Sequence, residues 1–114
     1  MRIAPGCLAV GAGFVAGACV LALSGGAAGA GDARTHEIVI QGLQYLPETL
    51  KVRRGDVVVW SNKDPFPHTA TAPGVFDSGS FAAGRSWRFT AARVGVHPYV
   101  CTLHSTMKGT LQVE

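Results

Sequence analysis

The chain has few cysteines, no run of like charges and no segment with helical spacing of apolar residues. Of its three cysteines, Cys7 and Cys19 fall in an apolar N-terminal stretch. The rest carries Cys101 alone, so no disulfide framework holds it together. Setting Arg2 aside turns the ten basic residues into nine against seven acids, a net charge near +2. That charge is small and scattered, which excludes a nucleic-acid surface. The absence of helical periodicity, internal repeats and low-complexity tracts beyond the N-terminus leaves short strands as the main organising element.

The N-terminus reads as a leader. Met1-Arg2 gives a positive end, Ile3 to Leu23 is apolar and uncharged, and small residues follow until Asp32 brings the first acid. This is the order of a secretory signal peptide, and Ala28-Gly29-Ala30 offers a small-residue cleavage site. A leader over 1–30 and a mature domain over 31–114 are therefore expected. If the leader is kept, Ile3 to Leu23 approaches the roughly 20 residues that span a bilayer and would serve as an anchor. Lipidation at Cys19 fits less well, because Ala16-Gly17-Ala18 lacks a large aliphatic residue and the apolar run continues past it. Each route places residues 31–114 in the periplasm or another extracytoplasmic space. A lone thiol in an oxidising compartment needs a reason to be there.

Beyond the leader, short segments rich in Val, Ile, Thr and aromatics alternate with Gly, Pro and Asp turn signals. Strands are expected at His36 to Gln41, Thr49 to Val52, Val57 to Asn62, His68 to Ala72, Ser86 to Thr90, Val96 to Cys101 and Met107 to Val113. Lys63 to Pro67 cannot continue a central strand, since Pro65 and Pro67 have no N–H to donate. It reads as a stiff loop that delivers His68. About seven short strands suit an all-β, two-sheet sandwich with one core between the sheets.

The chemistry lies at the end of the chain. Cys101 and Met107 are the single Cys and Met of residues 31–114, and His104 sits midway between them. A strand ending at Cys101 and a tight loop over Thr102 to Thr106 would return His104 and Met107 to one point. A thiolate and imidazoles with a thioether as a weak partner make the donor set of a blue-copper electron-transfer site. The second imidazole must come from elsewhere, and His68 is the best candidate. Zinc also takes Cys and His, but a structural zinc site would favour a fourth strong ligand over Met107. His36 and His97 read as structural or solvent-facing, and Trp60 and Trp87 as sheet core or cover.

Together with Cys101-x2-His104-x2-Met107, the chain has Tyr45-x-Pro47-x-x-Leu50-x-Val52-x-x-Gly55-Asp56-x-Val58-x-Trp60-x-Asn62-x-Asp64 and then His68-Thr69. In these residues it resembles the plastocyanin/azurin family of cupredoxins, and most of all the amicyanin-type members with short ligand loops. The resemblance implies a Greek-key β-sandwich with one copper ion, Cu(I)/Cu(II), at one end. It puts His68, Cys101 and His104 in the copper plane and Met107 on the axis. There are departures. Thr69 stands where relatives often carry Asn, and could hydrogen-bond across to the ligand loop in its place. Leu103 and Ser105 stand where relatives have prolines.

The expected function is that of an exported, monomeric carrier of single electrons, with redox proteins docking transiently near His104. Pro65-Phe66-Pro67 and Leu103 would form an apolar rim there. Copper handling or resistance is the alternative. An enzyme is not expected, because four filled positions leave no open place for substrate and no nucleophile-base pair is evident. Membrane contact is expected only if the leader is retained.

Overall fold

The computed structural model describes residues 32–114, and the expected leader over 1–30 lies outside them. Nine strands make up residues 33–114. They are β1 (Thr35–Ile40), β2 (Tyr45–Leu46), β3 (Thr49–Val52), β4 (Val57–Asn62), β5 (Thr71–Ala72), β6 (Phe76–Asp77), β7 (Ser86–Thr90), β8 (Gly95–Val100) and β9 (Lys108–Val113). One sheet runs β2-β1-β4-β7 and the other β3-β9-β8-β5-β6. Each is mixed, with β1 parallel to β4 and β3 parallel to β9. This is the all-β two-sheet sandwich that the strand pattern calls for.

The period-2 pattern shows why these segments pair as they do. In β4, Val58 and Trp60 are fully buried while Val57 and Val59 are only half-buried, so alternate residues face the core. From β1 and β9, Ile38, Ile40 and Leu111 join them with no exposed surface. Burying each such aliphatic side chain contributes about 1.5–3 kcal/mol. Gly109 is required by its partner across the ladder. A Cβ there would lie 2.4 Å from Tyr99 Cζ, so only glycine lets β9 pass beneath the ring.

The strand expected over His68 to Ala72 shrinks to Thr71–Ala72. Upstream, the backbone finds local partners instead of a ladder. His68 exchanges both backbone hydrogen bonds with Phe81, and Ala70 N–H donates to Ser78 Oγ at 2.8 Å. β2 and β6 are two-residue pairings too short to stand out as strands in the sequence. The strand expected to include Cys101 ends at Val100, which frees Cys101 to begin the next loop.

At one end of the sandwich lie the C-terminal ends of β1, β4 and β8 and the start of β9. The β8–β9 loop, the loop before His68 and the β1–β2 turn all sit there. At the other end the Arg53–Asp56 turn is tied down by the Asp56 carboxylate. That carboxylate accepts the N–H groups of Arg34 at 3.0 Å and Arg53 at 3.1 Å, and bonds His36 Nε2 at 2.9 Å. His36 is thus structural. His97 Nε2 bonds the Arg93 carbonyl at 2.8 Å and is structural too.

Candidate metal centre

β8 carries the chain to Cys101, whose side chain is fully buried. The loop that follows closes on itself. Cys101 N–H donates to the Met107 carbonyl at 3.2 Å, and Met107 N–H donates to the His104 carbonyl at 2.9 Å. Six residues therefore fold back so that Met107, 1% exposed, ends beneath the loop that Cys101 begins. The pairing of Thr71 with Val100 lays the 68–71 segment beside this loop. His68 Nδ1 then stands 3.7 Å from Cys101 Sγ, and the Thr69 N–H donates to the same sulfur at 3.3 Å. The His68 and His104 rings are 5.0 Å apart between centroids. His68, Cys101 and His104 thus lie together at one end, and the backbone of Met107 closes the loop that carries two of them.

Thr69 ties the two loops together. Its hydroxyl accepts Thr102 N–H at 2.9 Å and meets the hydroxyls of Thr71 at 3.0 Å and Thr102 at 3.3 Å. This is the bridge expected of a residue in the usual asparagine's place. Tyr45 OH donates to the Thr69 carbonyl at 2.6 Å and fixes the same residue from below.

Asp64 orients His68. Its Oδ2 lies 2.8 Å from His68 Nε2, which turns Nδ1 toward the cysteine sulfur and selects the ring nitrogen left for a metal. Burial alone would raise the Asp64 pKa. The N–H groups of Leu43 and Gly42, with His68 itself, outweigh it and hold the carboxyl below its usual range. Asn62 supports the same turn, accepting Asp64 N–H at 2.9 Å while its amide donates to the Phe66 and Phe81 carbonyls. Both residues belong to the quoted motif, but a role for Asp64 was not evident in the sequence. The usable signal was a carboxylate four positions before a candidate ligand, in a loop stiffened by two prolines.

The rim is apolar. Phe66 and Leu103 are 43% and 51% exposed, and the Phe66 ring lies 5.9 Å from that of His104, which is half-buried. An imidazole edge ringed by apolar side chains is a surface suited to brief contact with another protein.

Among the described residues no three or more His, Cys, Asp and Glu side chains are drawn together as a ready-made metal cage. What comes together is a thiol and two imidazoles, with buried Met107 closing the same loop through its backbone. By kind these donors fit copper in both oxidation states, the imidazoles suiting it and the thiolate and thioether giving soft bonds to Cu(I). His68 Nδ1 and Cys101 Sγ face each other at 3.7 Å, and apart from that contact the sulfur has a single N–H donor, which leaves both atoms with capacity for a metal bond.

No family model matches the chain. It is 27% identical to amicyanin-alpha of Methylorubrum extorquens over 116 residues, covering 94% of this chain and 98% of that protein. The Cu(I) form of an amicyanin methionine-to-alanine mutant superposes with a TM-score of 0.66 at 27% identity, over 76% of this chain and 88% of the other. The chain has the cupredoxin fold and is similar to amicyanin. A tryptophan-to-tyrosine amicyanin mutant in its reduced state matches this cupredoxin with a TM-score of 0.64 at 26% identity, over 68% and 80% of the two chains. The copper-containing nitrite reductase of Thermus scotoductus SA-01 also reaches 0.64 at 25% identity. This cupredoxin spans only 22% of that enzyme's chain, so the likeness is one of domain fold.

Proposed function

We propose that this cupredoxin carries single electrons between protein partners through one copper ion held by His68, Cys101, His104 and Met107. The observation that carries the reading is the meeting of His68 Nδ1 and Cys101 Sγ at 3.7 Å inside an amicyanin-like sandwich. Bound copper supplies a one-electron couple between Cu(I) and Cu(II). The protein's part is to keep the donors still. Asp64 holds His68 in one tautomer, Thr69 locks the ligand loop to the neighbouring segment, and the Thr69 N–H bond lowers the electron density on the Cys101 sulfur. A donor set that need not rearrange when an electron arrives presents a small reorganisation barrier. Partners dock on the Phe66–Leu103 rim, where the His104 edge is the shortest way in.

With its four positions filled by side chains, the centre has no place for substrate, which supports a carrier over an enzyme. Export is supported by the signal-peptide pattern. It is further supported by the amicyanin-alpha match, since coverage of 94% of this chain cannot be confined to residues 32–114. Both support a periplasmic carrier.

Protein-film voltammetry with a chelator challenge tests the proposal. A reversible one-electron wave, with copper retained in both oxidation states, is expected. Irreversible reduction with rapid surrender of the ion to the chelator would refute electron carriage and point to copper handling.

A further inference from the structure

The core contains two polar atoms that an apolar core would not bury without partners. Trp60 Nε1 and Tyr99 OH are both buried and unbonded. Trp60 N–H lies near enough to temper the rise that burial imposes on the Tyr99 pKa, yet the two atoms do not meet in hydrogen-bond geometry. Orphaned groups of this kind in a native core call for an explanation, and a redox role is one.

These two rings are the middle of a continuous aromatic series. Tyr45 bonds the carbonyl of Thr69, whose N–H bonds Cys101 Sγ. The Tyr45 ring is 4.6 Å from Tyr99, Tyr99 is 5.6 Å from Trp60, and Trp60 is 5.4 Å from Trp87. Trp87 pairs directly with Trp60 across β4 and β7, and it sits partly exposed on the edge strand β7. The series therefore starts at the Cys101 sulfur and ends at the partly exposed Trp87, a different side chain from the His104 edge.

We propose that Trp87 is a second electron port, through which a strong one-electron oxidant draws an electron from the Cys101 centre along Tyr45, Tyr99 and Trp60. The proposal rests on Cys101 holding copper. A radical or an oxidised metal complex at the surface takes one electron from the Trp87 indole and is reduced by one. Trp60 refills Trp87, and the deficit passes inward until copper(I) at Cys101 becomes copper(II). No bond forms or breaks and no proton moves.

The orphaned atoms explain why the series conducts and does not trap. An oxidised indole or phenol becomes a long-lived radical when a nearby base takes its proton. Trp60 Nε1 and Tyr99 OH have no acceptor at all, and Tyr45 OH faces a carbonyl oxygen, too weak a base. The oxidised rings keep their protons, remain strong oxidants and are refilled from the centre. Ordinary redox partners are too mild to oxidise an indole and leave this route unused, so it discharges damaging oxidants without competing with His104.

The test uses the reduced, copper-loaded protein with a ruthenium polypyridyl photosensitiser bound at an Arg88→His substitution, exposed and adjacent to Trp87. After a flash produces ruthenium(III), the growth of the visible copper(II) band gives the rate. Trp87→Phe and Trp60→Phe each slow it by more than about tenfold, since a phenyl ring is far harder to oxidise than an indole. Phe76→Leu leaves the rate unchanged, because it removes a ring packed on Trp60, Trp87 and Tyr99 that takes no part in the transfer. An unchanged rate in either tryptophan variant, or equal slowing by Phe76→Leu, overturns the port. Colour recorded on the oxidised protein, before it is reduced for the flash, separates the two claims: a colourless oxidised protein refutes the copper site, a blue one with unaltered rates refutes the port.

Discussion

Replacing Thr69 by Val keeps the shape of the side chain and removes only its hydroxyl. That oxygen accepts Thr102 N–H at 2.9 Å and contacts two further hydroxyls, on Thr71 and Thr102. Thr71 keeps its bond to Asp77 and Thr102 is exposed, so those two hydroxyls can be satisfied elsewhere. Thr102 N–H is part-buried and loses its acceptor, and stranding such a donor costs about 1–3 kcal/mol. Against a total of about 5–15 kcal/mol this is a large fraction. In thermal unfolding of the metal-free protein, each kcal/mol corresponds to about 4–8 °C for a domain of this size. The same loss frees the first residue after Cys101, so copper should also leave the variant faster under chelator challenge. Thr69→Ser retains the oxygen and should recover most of both properties. If Thr69→Val unfolds at the wild-type temperature and holds copper as long, the hydroxyl bridge does not organise the ligand loop.

Three other perturbations follow from the contacts. Gly109→Ala would drive a Cβ to 2.4 Å from Tyr99 Cζ in a ring that is 1% exposed, and such overpacking costs about 1–3 kcal/mol; an unaltered urea midpoint would show that β9 can move aside. Asp56, held down to about 2 from 3.8 by the Arg34 N–H first and then His36 and the Arg53 N–H, stabilises the fold only while ionised. Its contribution is full above pH 3.8 and fades as pH falls toward 2, so Asp56→Asn should be less stable at neutral pH and lose less on acidification over that window, a contrast read from paired melts. Met107→Leu should retain copper and raise the reduction potential, since a weak donor to the oxidised ion is lost; a variant unable to bind copper would make Met107 a primary ligand.

The sequence displayed most of the sheet pattern. Val57 to Asn62 and Ser86 to Thr90 match β4 and β7 residue for residue, because their alternation is uninterrupted and both ends carry turn signals. Tyr45–Leu46 and Phe76–Asp77 were not visible, being pairs with no periodicity of their own. The region after His68 misled for a different reason. Its β-rich composition is real, but a serine side chain and a distant phenylalanine take its backbone hydrogen bonds, and that depends on tertiary placement. At the site, the spacing Cys101, His104, Met107 needed only a tight loop after a strand, which is local. The approach of His68 to Cys101 was legible because a Pro-flanked loop before it and a lone thiol without a second imidazole pointed the same way. Asp64, by contrast, acts through an orientation that only the folded turn creates.

The central claim is that Cys101 and its three companions hold one copper ion. Titrating the metal-free protein with Cu(II) while recording the visible spectrum tests it most directly. One equivalent should develop an intense blue thiolate-to-copper band that is absent from Cys101→Ser and preserved in His36→Ala. A colourless adduct, or a band that survives in Cys101→Ser and disappears in His36→Ala, would contradict the assignment.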